Sequence, residues 1–384
     1  MRILFITGEY PPQPGGVGDY TQRLAQTLAT AGHEVITLTA VQGRWQLWRA
    51  TSSGDEPLVA PRGRASWRLI AAGRLARLVR RLRPTWCHIQ YQTGAYQLQI
   101  GVNVLPFLLR RTGIATAITY HDLLPPYLFP KAGLIRDWVT LLPARAATAV
   151  VATNPEDEVT LRAAGIQPRL IPIGANIEPS LPPGYDRAGW RARLGLAANE
   201  ALIGYFGLLS PGKGVDMLID LVAAQPHWRL LIIGGAATTP TDRAYAAAVQ
   251  QRLATQKLGD RVIITGHVAT EQVSAHLSAC DVVALPFRDG ASLRRGSLLA
   301  ALAHGCAIVT TPPASAATAA ALTGAVQFAA AQPQAFATAI SALLENPTAC
   351  MRLSEAARAT ARRFNWHAIA EAHLELYQMA AHGL

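Results

Sequence analysis

Short apolar and β-branched runs alternate with longer amphipathic segments along almost the whole chain, and this alternation limits the fold more than any other feature. In the first half the runs are Arg2–Thr7, Glu34–Thr39, Trp86–Tyr91, Ala115–Tyr120, Ala149–Thr153 and Arg169–Ile173. In the second they are Leu202–Phe206, Trp228–Ile233, Arg261–Thr265, Asp281–Pro286, Cys306–Thr311 and Ala325–Phe328. Short strands separated by helical patterns indicate parallel sheets with right-handed crossovers. Two such sets predict an α/β protein of two doubly wound, Rossmann-like domains. The 384 residues suit that number, at about 150 residues per domain. Helix and strand breakers gather between Pro172 and Gly184, which places the seam there and divides the chain into 1–175 and 176–365. Ligands of open parallel sheets bind beyond the carboxyl ends of the strands, so the turns after each strand, and a cleft between the two domains, are the expected site.

Half the residues are hydrophobic and 15% are charged, a composition for buried cores and not for disorder. The net charge of +11 is concentrated: residues 41–111 hold 12 Arg against Asp55 and Glu56. Within it, Arg62–Arg83 interleaves eight Arg with Trp67, Leu69, Leu75, Leu78 and Leu82. That pattern fits a helix packed on the core with a solvated basic face, or a face that meets an anionic membrane or lipid-phosphate acceptor. Nucleic acid is disfavoured, because the segment has no aromatic stacking platform or known motif. Cys87, Cys280, Cys306 and Cys350 form no C-x-x-C pair and are expected to be reduced thiols of a cytoplasmic protein. No signal peptide is expected, since the first apolar run stops before Glu9, Pro11 and Pro12. Gly296–Leu344 contains no Asp, Glu, Lys or Arg, yet Gly305, Pro312, Pro313, Gly324 and Pro333 break it, so it is not read as a membrane span.

Three turns have the composition of anion sites. The first strand is followed by Pro14-Gly15-Gly16-Val17-Gly18-Asp19-Tyr20, where glycines let backbone N–H groups approach an anion at a helix start; a tight turn with no ligand is the alternative. The dinucleotide fingerprint fails there, because Thr21 occupies the third glycine's place, and a nicotinamide enzyme is disfavoured. After Leu202–Phe206, Lys213 lies between Gly212 and Gly214 just before a helix; it is one of only three Lys in the chain and is placed to meet a phosphate, although the segment by itself also fits a solvent-facing turn lysine. After Asp281–Pro286, the loop Asp289–Ser297 brings Arg294, Arg295, Gly296 and Ser297 to the entrance of a helix, a combination of dipole and guanidinium forks suited to an anion, with a basic surface loop as the alternative.

Taken in order, these landmarks resemble the family-4 (group 1) retaining glycosyltransferases of the GT-B fold. The resemblance rests on Glu9-Tyr10-Pro11-Pro12 with Gly15-Gly16, Thr119-Tyr120-His121-Asp122, Ile171-Pro172-Ile173-Gly174 and Phe206–Asp216. It continues through Ile264–Val268, Ala303–Val309 and Phe364-Asn365-Trp366. It implies an N-terminal acceptor domain and a C-terminal nucleotide-sugar domain facing across a cleft, with 366–384 forming a helix that crosses back to the first. It also implies that Gly16 sits against the donor diphosphate, that Lys213 pairs with its oxygens, and that His121 lies beside the transferred sugar as the catalytic-site histidine. His267 would border the base, Gly234 would line the same cleft, and Asp19 and Tyr20 would face the acceptor. The family retains anomeric configuration and needs no metal or other cofactor, in keeping with the lack of a D-x-D motif.

Three donor contacts customary in the family are missing. The Glu-x7-Glu pair falls on Ser292 and Ala300, and the usual Arg falls on Leu208. The resemblance therefore leaves Arg294 and Arg295 to supply the charge on the diphosphate and Asp289 or Ser292 to reach the sugar. A glycan or lipid-linked acceptor in cell-envelope synthesis is the expected partner. The alternatives left open are a non-catalytic nucleotide-sugar-binding relative and a sugar-nucleotide epimerase of the same fold.

Overall fold

The computed structural model describes residues 1–13, 15–123, 133–235 and 240–381; Pro14, in the first glycine turn, lies outside them. The chain divides into two units: Met1–Gly174 with Asn365–Leu384, and Ala175–Phe364.

The strands of the first unit are β1 (Arg2–Thr7), β2 (Glu34–Val41), β3 (Arg44–Thr51), β4 (Gly54–Leu58), β5 (Trp86–Tyr91), β6 (Ala115–Tyr120), β7 (Ala149–Ala152) and β8 (Arg169–Leu170). They form one sheet in the order β4-β3-β2-β1-β5-β6-β7-β8. The neighbours of β1 are both parallel to it, with Ile3 opposite Val35 on one side and Trp86 on the other. Because β1 is covered on both faces, its side chains divide by alternation. Leu4 and Ile6 enter one core with Ile36, Leu38 and Ile89, whereas Ile3 and Phe5 enter the other with Val35 and Trp86. Of the described helices, five matter most to the site and its support: α1 (Gly16–Thr30), α2 (Ala72–Leu82) and α5 (Trp366–Ala381) in the first unit, and α3 (Val215–Ala224) and α4 (Gly296–Ala303) in the second.

The structure corrects two expectations from the sequence. The region between β2 and β5 was not expected to hold strands, yet β3 and β4 extend the sheet as an antiparallel meander. Trp45 and Leu47 of β3 enter one core and Ala50 the other, and Arg44 and Arg49 break up the apolar run that would have marked the strand. The helix expected within Arg62–Arg83 covers only Ala72–Leu82, behind a short 3-10 turn at Leu69–Ala71. Leu75 and Val79 of α2 are buried, Leu78 and Leu82 pack beside them, and Arg74, Arg77, Arg80 and Arg81 remain outside.

The last helix, α5, belongs to the first unit and packs on α1 and β7. Trp366, Ile369, Ala370 and Tyr377 complete the core that contains Ile3, Phe5 and Tyr20. The Tyr377 ring stacks on Trp86, with centroids 4.7 Å apart. Its hydroxyl lies 2.5 Å from Nδ1 of His88 on β5, whose Nε2 lies 2.8 Å from Thr119 Oγ1. Burial holds the His88 imidazole neutral, so one nitrogen donates and the other accepts.

The second unit has six parallel strands: β9 (Ala201–Phe206), β10 (Trp228–Ile233), β11 (Val262–Ile264), β12 (Val282–Leu285), β13 (Ile308–Thr310) and β14 (Gln327–Phe328). Their order is β11-β10-β9-β12-β13-β14. Chain direction across the sheet reverses between β9 and β12, and a doubly wound sheet opens its ligand crevice at that switch, beyond the carboxyl ends of the strands. Among the described residues no helix is long and apolar enough to cross a membrane.

The Tyr377→Phe variant leaves one His88 nitrogen without a partner in a dry core, a cost of roughly 1–3 kcal/mol. Amide hydrogen exchange should accelerate about tenfold or more in β5 and α5 and stay unchanged in the second unit.

Candidate functional site

At the switch point of the second unit, β9 leads through Gly207 to a 3-10 turn over Pro211–Lys213 and then α3, while β12 leads through Pro286 and Phe287 to the start of α4. Phe287 is fully buried and serves as a platform for two cations. Lys213 Nζ lies 5.2 Å and Arg295 Cζ 4.1 Å from the centre of its ring. Partial burial, followed by the Arg295 charge, lowers the Lys213 pKa to about 8, and Asp289 offsets part of that shift. Asp289 is largely exposed and forms an ion pair with Arg295. The Arg295 Nε and the Ser297 Oγ are both buried without a hydrogen-bond partner. Arg295 is the N-cap residue of α4, and no side chain caps that helix start, so the N–H groups of its first turn add to the positive potential. Lys213, Arg295, Gly296 and Ser297 are thus brought to one place. Ser292 Oγ accepts from the Arg294 backbone N–H at 3.3 Å.

The neighbouring strand ends are tied by backbone. Gly234 has φ 131° and pairs with Gly266 as an isolated bridge. A Cβ at Gly234 would stand 2.2 Å from the Gly207 carbonyl oxygen, so only glycine permits β9 and β10 to approach in this way. His267 follows Gly266 on an exposed turn. The positions that lack the customary polar groups are visible too: Leu208 is exposed and Ala300 is wholly buried inside α4.

In the first unit, the start of α1 already holds an anion. The Glu9 Oε1 accepts from the N–H groups of Val17 at 2.9 Å and Gly18 at 3.3 Å, the role expected of a diphosphate beside Gly16. Gly16 itself faces open space. Asp19 is exposed in the first turn of α1. Tyr20 is buried, its hydroxyl has no partner, and its ring meets His121 edge-on with centroids 4.7 Å apart and lies beside Trp366 at 5.3 Å. His121 follows β6; its Nε2 lies 2.8 Å from Gln90 Oε1, and its backbone N–H donates to Tyr91. The amide oxygen can only accept, so Nε2 carries the proton and Nδ1 keeps its lone pair. Burial, then the neighbouring His373, lowers the His121 pKa to about 3. Phe287, Gln90 and Glu9 were not singled out from the sequence. An aromatic immediately after a strand and flanked by cations was a readable signal for Phe287, whereas Gln90 had none.

The residues 15–174 match the description "Glycosyl transferase 4-like domain" and residues 200–346 match "Glycosyl transferases group 1". The chain belongs to the group 1 glycosyltransferases.

A curated relative of this glycosyltransferase chain, the D-inositol 3-phosphate glycosyltransferase of Xylanimonas cellulosilytica, is 29% identical over 65% of this chain and 61% of its own length. The chain spans about half to two thirds of the length of several such curated relatives. Sucrose-phosphate synthase from Thermosynechococcus elongatus has the same fold, with a TM-score of 0.73 at 22% identity over 100% of both chains. The Anabaena protein HepE, solved with UDP, superposes with a TM-score of 0.69 at 20% identity over 98% of this chain and 99% of its own. The two Rossmann-like units are those of GT-B glycosyltransferases.

His88, His121 and His373 all have pKa values lowered by burial, the last to about 4. The unfolded chain therefore takes up protons below about pH 6.5 that the folded first unit refuses, and stability falls as pH falls from about 6.5 toward 4. Urea unfolding followed in the first unit should show a lower midpoint at pH 5 than at pH 7. The His121 ring resonances should show no protonation between those values.

Proposed function

We propose that this protein transfers a hexose from a nucleotide-diphosphate sugar to an acceptor hydroxyl, with retention of configuration and without a metal ion, in the synthesis of a cell-envelope glycolipid or polysaccharide. The observation that carries this reading is the convergence of Lys213 and Arg295 on Phe287 at the uncapped start of α4. As the bond between the anomeric carbon and the diphosphate breaks, negative charge grows on the departing oxygens. Two fixed cations, a helix start and the Ser297 hydroxyl are suited to stabilise that charge. Arg295 takes over the charge that Leu208 lacks, and Asp289 holds its fork in place. Gly234 and His267 border the nucleotide. In the first unit His121 is assigned to the transferred sugar: kept neutral, with Nε2 given to Gln90, it offers Nδ1 as an acceptor for a sugar hydroxyl.

The solved complex of HepE with UDP supports a nucleotide-sugar donor, and the name of the Xylanimonas relative supports an acceptor that carries phosphate. The acceptor, glycan or lipid-linked, is taken at an anionic membrane surface through the arginines of α2 and the loop before it. A second reading, donor binding without turnover, is favoured by Ala300, which replaces an expected carboxylate with a buried methyl group. The epimerase alternative is separated by requiring an acceptor for nucleoside diphosphate release.

Thermal unfolding against UDP-, GDP-, ADP- and dTDP-sugars, with and without EDTA, tests the donor site. One nucleotide at about a hundred times its Kd should stabilise the protein by roughly 2.7 kcal/mol, and EDTA should not remove the shift. Arg295→Ala or Lys213→Ala should weaken that binding about tenfold to a hundredfold. Release of nucleoside diphosphate on adding acceptor marks an enzyme; binding without release marks the second reading.

Affinity for the donor should also fall as pH rises above about 8. Lys213 loses its proton there in the free protein, and a bound diphosphate would hold that proton to higher pH. Lys213→Arg should flatten this dependence in isothermal titrations at pH 7 and pH 9.

A further inference from the structure

A cavity of about 490 Å³ opens in the first unit beside the turn that follows β2 and the loop that follows β5. Its volume lies within the range of small-ligand sites, about 300–1,000 Å³. Arg64, Arg68 and Arg74 line it together with Gln42, Gln97 and Gln99, and no carboxylate does. Among the described residues none of these three exposed guanidinium groups forms an ion pair with a carboxylate. Gln99 keeps a buried Oε1 without a hydrogen-bond partner.

The framework around the cavity is rigid. The Ala65 N–H donates to the Gly43 carbonyl at 2.8 Å and the Gly101 N–H to the Trp67 carbonyl at 2.6 Å. Trp67 is buried edge-on between Trp45, at 5.1 Å, and Tyr96, at 5.0 Å, and so fixes the backbone from which Arg68 projects. Gln42, Gln97 and Leu98 adopt left-handed backbone with φ of 48°, 55° and 60°, three of the five such non-glycine residues described. Backbone of this kind is costly and persists where its surroundings impose it, which is common at ligand sites.

We propose that this cavity binds a phosphorylated polyol: the arginine forks take the phosphate, and the three glutamine amides read hydroxyl groups beside it. Under the function proposed above, this ligand is the head of the acceptor. That assignment rests on the transferase reading, whereas the binding does not. The phosphate has two candidate sources, a soluble sugar phosphate or a lipid headgroup, and Ile70, 86% exposed at the cavity edge, offers an apolar contact for the second.

Isothermal titration of the full chain with glucose 6-phosphate against glucose tests the first source. Sedimentation with phosphatidylglycerol against phosphatidylcholine vesicles tests the second. The proposal expects phosphate-dependent binding in at least one arm, weakened at least tenfold by Arg64→Gln, Arg68→Gln and Arg74→Gln together and weakened by Gln99→Ala. A control with Arg352→Gln, Arg362→Gln and Arg363→Gln removes the same charge from exposed positions of the second unit and should bind as the parent does. Binding in neither arm, equal loss in both triple variants, or no loss in the cavity variant overturns the proposal. Lys213→Ala separates the two readings. It should lose nucleotide binding and keep phosphate binding, so a protein that binds glucose 6-phosphate but no nucleotide fails only as a transferase.

Discussion

The contact between His88 and Tyr377 joins residues 289 positions apart, and the first unit is not complete without it. One face of its sheet is covered by α1 and by α5, and α5 is made only after the chain has passed through the whole second unit. The second unit is in effect an insertion within the first. Its residues are contiguous, so it can close its core from local sequence, whereas the first must wait for its last helix. Contacts of such separation carry the largest loop-closure cost, and the density of aromatic packing at Trp366, Trp86 and Tyr377 is where that cost is offset.

The same core sets the chemistry of His121. Tyr20 and Trp366 press on one side of a region that also holds His88 and His373, and the result is an imidazole that stays neutral and keeps a defined tautomer through Gln90. In the second unit the electrostatic design is the opposite. There the fold holds charge in place: a lysine and an arginine beside one aromatic ring, with an aspartate that tethers the arginine from outside.

How much of this was legible depended on how local the cause was. The runs of β1, β5, β6 and β10 were read to the residue, because a strand buried on both faces is an unbroken apolar run between breakers. The meander of β3 and β4 was not, since its alternation is half hidden by arginine and its edge side is polar. Lys213 stood out because lysine is rare in this chain and lay between glycines, and the Arg295 entrance was visible as a charge pattern before a helix. The position of Gln90 was silent, because it acts through a partner brought near only by the fold, His121, 31 residues away. Leu208 and Ala300 were readable as departures, and their surroundings explain why the departures are tolerated: one lies in solvent and the other fills a helix interior where an uncompensated carboxylate would be costly.

The arrangement around Phe287 has a consequence for the protein at rest. Two like charges held close on one ring oppose each other, and Arg295 keeps a buried N–H without an acceptor. The fold therefore spends stability on being ready. Selection for heat resistance alone would erase this corner first, replacing one of its cations with a neutral side chain, and would leave a firmer protein with less grip on an anion.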